Sequence, residues 1–107
     1  MRHIVLLLAL STSFSASAAP TATKEIIEKC AGISKLAEAV MTKRQDGVAM
    51  SDLMKAASDG SEPDQMLVRM ITAAYEKPRF RTAENKRHQI ENFRDQLYLG
   101  CIKQSQD

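Results

Sequence analysis

The sequence predicts an all-α fold: a small four-helix domain in which a disulfide joins two long helices and two shorter helices lie between them. Three observations predict it. Apolar residues recur at alternating spacings of three and four through two long stretches, which is the repeat of one helix face. No stretch alternates apolar and polar residues for long enough to support a sheet. The cysteines Cys30 and Cys101 both fall on the long apolar stripes, so stacking one stripe on the other brings the sulfurs together.

The chain of 107 residues begins with a different kind of segment. Arg2 supplies a positive end, Ile4 to Leu10 form an uninterrupted apolar core, and small residues follow. That order predicts a secretory signal peptide. Ala16-Ser17-Ala18 offers the small side chains that signal peptidase accepts, which places cleavage after Ala18 and ranks Ala19, followed by Pro20, second. A membrane anchor needs about 20 consecutive apolar residues, and this core is far shorter. A lipoprotein needs a cysteine directly after the cut, whereas the first is Cys30. The expected division is residues 1–18 as signal peptide and 19–107 as a single helical domain.

The first helix is expected from Thr23 to about Arg44, with Ile26, Cys30, Ile33, Ala37 and Val40 along one stripe and Ile27, Leu36 and Met41 widening it. Gln45-Asp46-Gly47 ends it, since Gly47 tolerates the left-handed backbone of a helix terminus. Ser51 is the expected cap of a short helix running to Ala57, with Leu53, Met54 and Ala57 inside. Asp59 to Pro63 reads as a break, and Ser61 with Asp64 resembles a capping box for a third helix carrying Met66, Leu67, Met70, Ile71 and Ala74. This helix stops before Pro78, whose ring disfavours helical geometry at Lys77. Thr82 caps the last helix, which reaches about Ile102 with Ala83, Ile90, Phe93, Leu97 and Cys101 on one side.

An exported domain of about 89 residues is near the size at which a hydrophobic core alone is marginal. An oxidising compartment makes the Cys30–Cys101 disulfide the default, and closing a loop of about 72 residues stabilises by roughly 4 kcal/mol on the chain-entropy model. Fifteen Lys and Arg stand against thirteen Asp and Glu, so net charge points to no polyanionic partner. Tryptophan is absent and aromatics are few, which argues against base or sugar stacking and makes nucleic acid an unlikely partner.

Catalytic and metal-binding constellations are not evident. His88 is the one histidine outside the signal segment, and it lies about 160° from the Ile90–Leu97 stripe, facing water. Glu84 and Glu91 flank it, but metal sites take three or four ligands. Neither cysteine sits in a C-x-x-C pair. Phosphate loops, H-E-x-x-H helices and nucleophile elbows are missing, so the sequence predicts a non-enzyme with no cofactor and no metal. The one local excess of positive charge is Lys77, Arg79, Arg81, Lys86 and Arg87, a candidate contact for anionic lipid, lipopolysaccharide or an acidic protein surface. The competing reading is a solvated loop with Phe80 folded onto the core, and it is favoured. The methionines at 41, 50, 54, 66 and 70 are read as core, with Met50 the expected exception.

With Arg44-Gln45-Asp46-Gly47, Ala74-Tyr75-Glu76-Lys77-Pro78 and the closing segment from Phe93 to Cys101, the chain resembles small exported, disulfide-containing helical proteins of Gram-negative bacteria. The resemblance implies a periplasmic location and carries no activity. Size and a lone disulfide are also features of periplasmic acid-stress chaperones, though here the cysteines lie further apart. The leading expectation is an exported periplasmic module that binds another protein, as inhibitors and immunity proteins do, without a transmembrane segment after signal cleavage. The alternatives are an acid or envelope stress chaperone and a binder of anionic lipid or envelope through the basic segment.

Overall fold

The computed structural model describes residues 22–105 together with Ser11, so the expected signal peptide and its cleavage site lie, Ser11 apart, outside the described residues. Four helices follow in order: α1 (Lys24–Gln45), α2 (Met50–Ser58), α3 (Gln65–Tyr75) and α4 (Ala83–Ser105). No strand occurs among the described residues.

The ends of the helices follow local chemistry in most places. Thr23 Oγ1 accepts from the Ile26 N–H at the start of α1, and Thr82 Oγ1 accepts from the Asn85 N–H at the start of α4. Gly47 has φ +82° beyond the α1 terminus. Two caps differ from expectation. Ser51 does not cap α2: the helix begins one residue before it, with Ala49 at the cap position and no side-chain bond there. The entry is fixed from a distance instead, because the Tyr75 hydroxyl donates to the Val48 carbonyl and pins the chain just ahead of the first turn. Nor does Ser61 open a capping box. Asp64 itself is the cap of α3, accepting from the Met66 and Leu67 N–H groups, while Ser61 donates back to Ser58.

Helices α1 and α4 form the main pair and run antiparallel, while α3 lies on α1 and α2 lies on α3. The shared core comprises Ala37, Val40, Met41, Ala57, Met70, Ile71, Ala74 and Phe93. Cys30 and Cys101 are bonded with their Cα atoms 5.6 Å apart, tying the start of α1 to the end of α4. Ala83 is exposed and stands outside the stripe assigned to α4. Met50 is half-buried against the core, and the exposed methionine is Met66. Met50 packs against the core, whereas Met66 lines an open depression at the surface.

No helix among the described residues is long and apolar enough to cross a membrane.

Candidate functional site

The residues Arg44, Gln45, Gly47, Tyr75, Lys77, Pro78, Arg79 and Phe80 come from the end of α1, the end of α3 and the connector to α4, and they meet at one place. Gln45 is completely buried at its centre. Its Nε2 donates to the Pro78 carbonyl at 2.9 Å and its Oε1 accepts from the Phe80 N–H at 2.9 Å. Both ends of the amide are therefore satisfied by a backbone strip that has no regular structure of its own. Arg44 lies over the Tyr75 ring, 5.0 Å from its centroid, and donates through Nε and Nη2 to the Lys77 carbonyl at 3.2 and 3.1 Å. Arg79 returns the contact, its Nε donating to the Gln45 carbonyl at 3.0 Å. Its guanidinium covers Gly47 so closely that a Cβ there would stand 2.7 Å from Nη2. Gly47 thus serves two needs at once, a left-handed φ and a surface without a side chain.

This knot fastens α1 to the root of α4, opposite the disulfide. It also pins both ends of the α2–α3 hairpin, at Val48 and at Pro78, to one point. Burial pushes the Tyr75 phenol above its ordinary pKa, with the Arg44 charge opposing and Asp52 assisting. Midway along the pair, Arg94 Nη1 approaches Glu38 Oε2 of α1 at 3.8 Å while its Nε donates to Asp95 Oδ1 at 2.9 Å. That hydrogen bond holds the Asp95 carboxyl below its usual range.

The five basic residues singled out from the sequence divide. Arg79, Arg81 and Lys86 line one shallow depression together with Phe80. Lys77 and Arg87 do not line it; Lys77 is half-buried with its carbonyl held by Arg44, and Arg87 stands 3.8 Å from Glu91. Phe80 is half-buried and does not join the core, because Gln45 holds its backbone at the surface. His88 is exposed. Among the described residues no three His, Cys, Asp or Glu side chains gather as a metal site would require.

A second feature lies between α3 and α4. Helices α3 and α4 barely touch, and an apolar groove runs between them. Ile33 of α1 lines it, Met66, Met70 and Ala73 form one wall, and Leu97, Gly100 and Cys101 form the other. Arg69, Gln96 and Gln104 complete the lining. A Cβ added at Gly100 would meet nothing within 4 Å, so the α4 wall is low at its middle. The residues offer apolar contact, one guanidinium and two amides, which suits binding and supplies no nucleophile or general base. Its signal in the sequence is the coincidence of Met66 with a helical Gly100, legible only once α3 and α4 are known to run side by side.

Comparison with known protein families, curated proteins and solved structures finds no match to the chain.

Proposed function

We propose that this is an exported, periplasmic protein-binding module of the inhibitor or immunity kind, working by holding a partner and not by catalysis. The observation that carries the reading is the open apolar groove on an α1/α4 pair fastened at both ends, by a disulfide and by the buried Gln45 knot. A scaffold tied at both ends with a preformed apolar cleft loses little order on binding, which favours affinity. The charged, apolar and small-residue order of residues 1–18 supports export, and an oxidising compartment supports the disulfide.

The test expresses the full chain in a Gram-negative host and recovers it from the periplasmic fraction. The expected product starts at Ala19, has no free thiol, and elutes in a stoichiometric complex with an envelope protein. A reduced, uncleaved chain in the cytoplasm would remove export, and an oxidised periplasmic chain that always elutes alone would remove the binding role.

A further inference from the structure

We infer that the α3/α4 groove receives a short amphipathic helix of a partner protein that carries a carboxylate beside its apolar anchors. The inference rests on the protein-binding reading above and specifies its ligand. Charge selects the occupant. Arg69 is the one charged side chain in the lining, and among the described residues no carboxylate lies within 4 Å of its guanidinium. The other polar lining residues, Gln96 and Gln104, are neutral. An acidic flank therefore gains a charge-assisted contact and meets no like charge in the groove, whereas a basic flank meets Arg69.

Length selects the form. The walls run from Met66 to Ala73 and from Gln96 to Gln104, about 11 to 12 Å at the helical rise, which is two turns of an inserted helix. Two anchors one turn apart fit that span, and the groove offers no sheet edge for an extended strand. Flexible thioethers at Met66 and Met70 adapt to anchors of different shape. Gly100 lets the inserted helix approach α4 where any other residue would project.

The experiment uses the oxidised protein with 13C-methyl methionine and two designed helical peptides, identical in their leucine anchors, one with glutamate flanks and one with lysine. The glutamate peptide should shift the Met66 and Met70 methyl signals saturably and bind about tenfold more tightly than the lysine peptide, the worth of one charge-assisted contact. Arg69→Glu should reverse that order. Gly100→Leu should abolish the shifts without lowering the melting temperature. Unmoved methyl signals, equal affinity for the two peptides, or unimpaired binding by Gly100→Leu would each overturn the inference. So would a concentration-dependent dimer in sedimentation that Gly100→Leu dissolves, since the occupant would then be a second copy. If the envelope complex forms as before with Arg69→Glu and Gly100→Leu, the module binds elsewhere and only the groove assignment falls.

Discussion

Replacing Gln45 with methionine isolates the worth of the knot, because methionine nearly preserves the side-chain volume while removing both polar ends. Gln45 is fully buried, and its amide is hydrogen-bonded to the Pro78 carbonyl and the Phe80 N–H. The substitution leaves these two backbone groups without their partner. An orphaned group costs about 1 to 3 kcal/mol when fully buried, and since Pro78 is exposed and Phe80 half-buried, water recovers part of that, so the loss should be about 1 to 3 kcal/mol in all. For a domain of this size that lowers the melting temperature on the order of 5 to 25 °C. Urea denaturation of the oxidised protein measures the global loss, with an unchanged slope showing that the unfolded state is the same. Hydrogen exchange at the Phe80 amide supplies the local readout, since it should exchange much faster in Gln45→Met while amides at the disulfide end keep their protection relative to global stability. A loss under about 0.5 kcal/mol, within the range of an ordinary surface substitution, would refute the role given to Gln45. So would an unchanged Phe80 exchange rate.

Removing the Tyr75 hydroxyl with Tyr75→Phe should cost about 1 kcal/mol through the lost bond to Val48. Because the folded-state phenol is raised above its ordinary value, its contribution is whole below about pH 10 and is lost as pH climbs through the folded pKa, so the gap between the two proteins should narrow in alkali. Denaturation at pH 8 and above pH 10 checks the sign. Asp64→Ala should destabilise by about 1 kcal/mol as a lost cap, whereas Ser51→Ala should fall within about 0.5 kcal/mol because Ser51 caps nothing; equal effects would contradict the cap assignments. Joint replacement of Cys30 and Cys101 by alanine opens a loop with a sequence separation of 71 and should cost about 4 kcal/mol, read by calorimetry.

The helices and the disulfide were legible because each rests on periodicity along the chain. Thr82 and Gly47 were readable for the same reason, since a helix end depends on neighbours three or four residues away, whereas Thr23, read as the first helical residue, is the cap itself. What periodicity hides is a polar residue used at long range. Gln45 looked like part of a helix stop, yet its partners lie 33 and 35 residues onward. Arg79 looked like solvated charge, yet its guanidinium lies over Gly47 and its Nε donates to the Gln45 carbonyl. Ser51 fails in the opposite way: its local chemistry is adequate, yet the cap position falls two residues earlier on Ala49, next to the Val48 carbonyl that Tyr75 holds. The groove was hidden because it is an absence of contact between α3 and α4, and amphipathic stripes report which faces are apolar without saying which remain uncovered.

Gly100 bears on whether that uncovered face is incidental. Gly47 is required by its backbone and by Arg79, but Gly100 has neither a positive φ nor a neighbour within 4 Å of its absent Cβ. Its place inside α4 costs about 1 kcal/mol relative to alanine. Gly32 in α1 is equally unconstrained and lines no part of the groove, so a helical glycine alone proves nothing. The difference lies in what a larger residue would do. At position 32 a side chain changes only helix propensity; at position 100 a leucine would add apolar bulk to the α4 side of the groove that Met66, Met70 and Ala73 line from α3. Both Gly32→Ala and Gly100→Leu should therefore raise the melting temperature, the second by more because it also buries apolar surface. If Gly100→Leu gains no more than Gly32→Ala, the groove is too wide for one side chain to close, and the case for a shaped binding cleft loses its geometric basis.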